Sequence, residues 1–117
     1  MFVTSLIWYM SSAVKVVQPK GILDGTQAAD FREEVKKLVE SEETIILINF
    51  QDVTFMDSSG LGALVLALKT VRAAGGKMFI CSVNEQIKML FDLTSMDKVF
   101  DIFPTREDFE SEVLSTT

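Results

Sequence analysis

Thr44-Ile45-Ile46-Leu47-Ile48-Asn49-Phe50 is the stretch on which the fold turns. It is short, nearly continuous in apolar side chains and rich in β-branched residues. Such a run leaves no face for water, so it reads as a strand covered on both sides by helices. Upstream, over residues 27–41, Ala28, Phe31, Val35, Leu38 and Val39 recur at helical spacing. Arg32, Glu33, Lys36 and Lys37 fall off that stripe, and Glu33 and Lys37 form a favourable i,i+4 pair, which predicts an amphipathic helix packed on one side. Downstream, a loop carrying Val53 and Phe55 leads to a second helix over 59–74, stopped by Gly75-Gly76. Residues 77–82 read as another buried strand. Ser82 and Glu85 have capping-box spacing for a helix reaching Phe91. Residues 98–103 form a last strand, and Pro104-Thr105 open a C-terminal helix with Thr105 and Asp108 again at capping-box spacing. At the front, 14–23 is broken by Pro19 and Gly21 and reads as a strand pair or one bent strand at a sheet edge. Asp24-Gly25 ends it, with Thr26 placed to cap the helix that follows. Strands alternating with helices give a mainly parallel sheet with right-handed crossovers, an α/β fold.

A chain of 117 residues is one domain by length, and 48% hydrophobic residues suffice for a core without disulfides or metal. The single cysteine, Cys81, can form no internal bridge and reads as a small core residue in a reducing, cytoplasmic setting. The net charge of −6, with Lys36-Lys37 flanked by Glu33, Glu34 and Glu40, argues against a nucleic-acid partner. The absence of histidine removes the usual general base, zinc ligand and near-neutral pH sensor. Asp92, Asp97, Asp101, Glu107, Asp108 and Glu110 are scattered as on a solvated face, so neither metal nor cofactor is expected. Met56, Met78, Met89 and Met96 read as core or groove fillers. The opening MFVTSLIWYM lacks the basic start of a signal peptide and the length of a membrane span. The domain is therefore placed at residues 10–117, with 1–9 either an upstream extension before Met10-Ser11-Ser12 or an edge strand.

One segment stands apart: Phe55-Met56-Asp57-Ser58-Ser59-Gly60-Leu61-Gly62, between a buried strand and a helix. A helix start has unpaired N–H groups and a positive dipole end, so it favours an anion. Ser58 is then either a plain N-cap in a tight turn or the acceptor of a phosphate carrying about −1.5 to −2 charge. Gly60 and Gly62 leave the first turn free of side chains for the close approach of another backbone. On the helix, Leu61, Leu64, Val65, Leu68 and Val71 form the core stripe. The opposite side, where polar residues belong, carries Gly62, Ala63, Leu66 and Thr70, so Leu66 reads as part of a docking surface. A hydrolase is disfavoured, because the nucleophile-elbow glycine is replaced by Met56 for Ser58 and by Asp57 for Ser59. There is no histidine base and no Walker G-K-[ST] ending. No catalytic residue is assigned.

Thr54-Phe55-Met56-Asp57-Ser58-Ser59-Gly60-Leu61-Gly62 resembles the signature of bacterial anti-sigma factor antagonists, the single-domain members of the STAS family. Gly21-Ile22-Leu23-Asp24, Gly75-Gly76-Lys77-Met78, Lys88-Met89-Leu90-Phe91-Asp92-Leu93 and Lys98-Val99-Phe100 extend the resemblance over about residues 13–109, whereas residues 1–9 do not align. It implies a four- to five-stranded, mainly parallel or mixed sheet with about four helices, mostly on one face. It implies further that Ser58 is phosphorylated by a serine kinase that is also the anti-sigma factor. A metal-dependent serine phosphatase reverses this, and only the unphosphorylated form binds the kinase and frees its target. The partner-binding surface is expected around Ser58 at Asp24, Asp57, Ser59, Gly60, Gly62 and Leu66. The other function compatible with the same residues is a scaffold or ligand-sensing STAS module that is never phosphorylated.

Overall fold

The computed structural model describes residues 14–39 and 44–114. In chain order the elements are β1 (Val14–Val17), β2 (Gly21–Leu23), α1 (Gly25–Leu38), β3 (Ile45–Asn49), β4 (Val53–Met56) and α2 (Ser58–Ala73). They continue with β5 (Lys77–Cys81), α3 (Glu85–Leu93), a 3-10 turn (Met96–Lys98), β6 (Asp101–Phe103) and α4 (Arg106–Phe109), which runs on as a π-helical turn (Glu110–Leu114). The expected strand-or-extension over residues 1–9 lies outside the described residues.

Two sheets form, and every pairing is parallel: β1-β3-β5-β6, and a separate ribbon of β2 with β4. The continuous apolar run explains why β3 is central. Ile46 and Ile48 point into a core with Phe31 and Val35 of α1, Leu64, Leu68 and Val71 of α2, and Ile87 and Phe91 of α3. Leu47, between them, points to the other face, where it meets Cys81 and Phe109 with Phe79 and Phe103 packed around them. Alternation along one strand thus feeds two cores. Helices α1, α2 and α3 cover the first face and α4 the second, seated by Phe109 with ring centroids 5.3 Å from Phe79 and 5.8 Å from Phe103.

Several expectations need correction. The segment 14–23 is two strands that do not pair with each other: β1 lies at the sheet edge, and β2 joins β4. The segment around Val53 and Phe55, read as a loop, is strand β4. It escaped notice because it is four residues long and buries only Val53 and Met56. The last strand keeps only Asp101–Phe103, its first half being the 3-10 turn. Helix α1 is capped by Asp24, whose carboxylate accepts from the Thr26 N–H, and α3 by Asn84, which accepts from the Ile87 N–H. Ser82 instead takes a left-handed φ of 62° at the end of β5. Thr105 does cap α4, accepting from the Asp108 N–H. Ala63, expected on the outer side of α2, is buried, because that helix packs against α1 as well as the sheet. Met56 and Met78 are core residues, but Met89 is 62% exposed.

Candidate functional site

The parallel ribbon decides the geometry. Leu23 of β2 lies opposite Met56 of β4, and both are buried. Each strand is followed at once by an aspartate that starts a helix: Asp24 for α1 and Asp57 for α2. Two helix N-termini therefore emerge side by side, close enough that a side chain on Gly25 would sit 3.7 Å from Ser59 Oγ. Asp57 Oδ1 accepts from the Gly60 N–H at 3.0 Å, and the Asp57 carbonyl accepts from the Leu61 N–H at 3.0 Å. Asp24 Oδ1 accepts from both the hydroxyl (2.6 Å) and the backbone N–H (2.9 Å) of Thr26. Chiefly the Thr26 hydroxyl, then its N–H, hold the Asp24 carboxyl below the usual carboxylate value.

Ser58 is thus the first residue of α2 and not its cap. The aspartate before it has taken the capping role, the Ser58 hydroxyl is exposed, and it makes no hydrogen bond to the described residues. The anion-favouring helix end is already satisfied by the Asp57 carboxylate, so charge added at Ser58 meets a negative neighbour. Along α2, Ser58, Gly62 and Leu66 fall at i, i+4 and i+8 and form one exposed stripe, with Leu66 41% exposed. Ser59 is exposed beside them, and Asp24 and Asp57 are half-buried. Gly62 opens to empty space. Gly60 does not: it is buried, and an added Cβ would meet the Leu23 carbonyl oxygen and lie 2.8 Å from Met56 Cγ. Its lack of a side chain serves the seating of α2 on β2.

Sequence reasoning missed four residues here. Ile22 and Phe55 are register partners on the ribbon, 53% and 45% exposed, and place an apolar pair two residues before each aspartate. Leu23 and Met56 alternating inward against Ile22 and Phe55 outward was the available signal, hidden by taking β4 for a loop. Asn84 and Gln86 hydrogen-bond the backbone of β4 across about thirty residues, which no local pattern reveals. Elsewhere, Cys81 is fully buried and that burial pushes its thiol pKa up, as expected of an inert core residue. Among the described residues, no group of three or more His, Cys, Asp or Glu gathers as metal ligands do, and no helix is long and apolar enough to cross a membrane.

Paired strand–aspartate–helix units, an exposed serine and an apolar fringe thus stand together where β2 and β4 end in this α/β domain. Comparison with known proteins gives the family. The STAS domain matches residues 9–109, and the chain belongs to that family. The anti-sigma-B factor antagonist of Bacillus subtilis (strain 168) is 34% identical over 82 residues, covering 70% of this chain and 74% of that one. The anti-sigma F factor antagonist of Paenibacillus polymyxa is 29% identical over 91 residues, covering 77% and 78%. The anti-sigma factor antagonist SpoIIAA, solved in its unphosphorylated form, superposes with a TM-score of 0.70 over 85% of this chain and 87% of that one. At 20% identity it speaks for the fold alone. These relatives are regulatory proteins by name, in keeping with a binding role.

Proposed function

We propose that this protein is a phosphorylation-controlled anti-sigma factor antagonist with Ser58 as its acceptor. The observation that carries the proposal is an exposed Ser58 hydroxyl, without a hydrogen bond to the described residues, at the head of the Ser58–Gly62–Leu66 stripe, with capping left to Asp57. In the unphosphorylated form Asp24, Asp57, Ser59, Gly62 and Leu66, with Ile22 and Phe55 beside them, dock on a serine kinase that is also an anti-sigma factor. The kinase then releases its target. Gly60, buried against the Leu23 carbonyl, supports this surface by seating α2 on β2 and does not itself face the partner. Phosphate on Ser58 places about 2.5 to 3 negative charges, counting Asp57, in the same desolvated contact. An unpaired charge buried there costs about 3–5 kcal/mol, or roughly two to nearly four decades of affinity, enough for an on/off switch. A metal-dependent serine phosphatase restores the binding form, and the exchange takes place in the cytoplasm.

The test is to incubate the protein with ATP and a panel of candidate serine kinases, and to map phosphate by mass spectrometry. One phosphate at Ser58 is expected, with binding to the kinase weakened by at least about a hundredfold once it is attached. A Ser58→Ala protein that still accepts stoichiometric phosphate refutes the assignment. A ligand-sensing module is the second reading, favoured by a groove of about 580 Å³ between α3 and β6, lined in part by Lys88, Asp97, Asp101 and Phe103. That volume lies in the small-molecule range, and such a module would keep its partner affinity in Ser58→Ala and lose it when the groove is filled.

A further inference from the structure

Strand β4 has two edges, and among the described residues only one is paired with a strand. The other faces the start of α3. There Asn84 Nδ2 donates to the Val53 and Thr54 carbonyls at 3.2 and 3.1 Å. Gln86 Oε1 accepts from the Met56 N–H at 3.0 Å, and Gln86 Nε2 donates to the Met56 carbonyl at 2.9 Å. A primary amide offers a donor and an acceptor side by side, so Gln86 completes Met56 as a neighbouring strand would. Met56 is fully buried, and its backbone groups would otherwise stand unpaired away from water.

Met56 is followed directly by Asp57 and Ser58. On the β2 side the chain exit is held by the Asp57 N–H reaching the Leu23 carbonyl at 3.4 Å, a long bond. The two short bonds of Gln86 are therefore the firmer constraint on the direction in which the chain leaves β4. We propose that Gln86, a residue of α3 remote in sequence, is a positioning residue for the Ser58 hydroxyl: it pins Met56 and so aims the first turn of α2. This rests on Ser58 being the phosphate acceptor, as proposed above.

Gln86→Met keeps the length and apolar stem but loses donor and acceptor, whereas Gln86→Glu keeps the acceptor and loses the donor. Ile87→Val, at the fully buried next residue, is the control for general destabilisation. Amide hydrogen exchange followed by NMR reads the Gly60 and Leu61 N–H groups, which bond to Asp57, against those of Leu64 and Leu68 deeper in α2. In Gln86→Met the first pair should lose about tenfold or more protection relative to the second, whereas Ile87→Val should lower all four alike. With the kinase found by the screen above, kcat for Ser58 phosphorylation should fall about tenfold or more while KM holds, since a misaimed hydroxyl leaves the docking surface intact. If Gln86→Met does not fold, Gln86→Glu carries the same comparison, with a change of the same sign. Even loss of protection along α2, or an unchanged kcat, overturns the positioning role. If the wild type takes no phosphate from any kinase, the assignment of Ser58 fails, and the exchange measurement alone still decides whether Gln86 holds the start of α2.

Discussion

Replacing Gly60 and Gly62 by alanine is the same chemical change two residues apart on one helix, and the structure gives it opposite signs. At Gly62 nothing lies within 4 Å of the added carbon. The only effect is then the better helix propensity of alanine, so Gly62→Ala should stabilise by about 0.5–1 kcal/mol. At Gly60 the added carbon meets the Leu23 carbonyl oxygen, lies 2.8 Å from Met56 Cγ and 3.0 Å from the Leu23 carbonyl carbon. Carbon atoms prefer about 3.5 Å or more, so the head of α2 must withdraw from β2 by roughly 0.7 Å or more. The obstacle is backbone and cannot rotate aside. Overpacking of this kind costs about 3 kcal/mol at the upper end of its usual range, offset by about 1 kcal/mol of helix propensity. Gly60→Ala should therefore lose about 2 kcal/mol, lowering Tm by roughly 6–12 °C, against a rise of about 2–5 °C for Gly62→Ala. Thermal melts and urea titrations on the three proteins measure both. A Gly60→Ala protein as stable as the wild type would mean that α2 does not seat on the Leu23 carbonyl, and the side-by-side helix starts would go with it.

Leu66 and Leu64 make a second contrast, being 41% and 0% exposed. Leu66→Glu should shift stability by no more than about 0.5 kcal/mol yet weaken kinase binding by about 2 kcal/mol. Leu64→Glu buries a charge at a cost of several kcal/mol and should unfold the domain; equal melts for the two would show the orientation of α2 to be wrong. The bonds from Thr26 hold the Asp24 carboxyl below the ordinary carboxylate range in the folded state, so its charge contributes stability that is complete above the unfolded value and lost as pH falls through the lowered one. Asp24→Asn keeps a capping oxygen without the charge, so its stability deficit should be constant above about pH 5 and vanish in strong acid. A deficit that grows on acidification contradicts the sign. Finally, Phe109 is 1% exposed and anchors the second core, so Phe109→Ala should cost about 3–5 kcal/mol in urea titrations; a cost below about 1 kcal/mol would mean that α4 does not cover that face.

The phosphorylation proposed for Ser58 would have a simple physical economy. Capping of α2 falls to Asp57, so Ser58 is free to change charge without unravelling the helix it begins. A serine that was itself the cap would lose about 1 kcal/mol of helix stability each time its oxygen was taken. The division of labour between adjacent residues is visible in the order aspartate-then-serine, but only the coordinates assign the cap to the first. Likewise Leu66 was legible as exposed from helical spacing alone, whereas Ile22 and Phe55 were not, because their exposure depends on a short ribbon formed by segments thirty residues apart.

The sequence by itself determined the α/β alternation, the double burial of β3 and the extents of the long helices to within a residue or two at most ends. It also marked Ser58 as the residue to watch. Each rests on periodicity or on a contiguous apolar run, which are local properties of a chain. Only the tertiary structure decided that β2 and β4 form their own parallel ribbon, that Asp24 and Asp57 start neighbouring helices, and that Gly60 is demanded by the Leu23 carbonyl. It alone decided that Gln86 serves as the missing strand beside Met56. Each of these depends on backbone groups distant in sequence finding one another, and hydrogen-bond pairing between such groups leaves almost no trace in side-chain pattern.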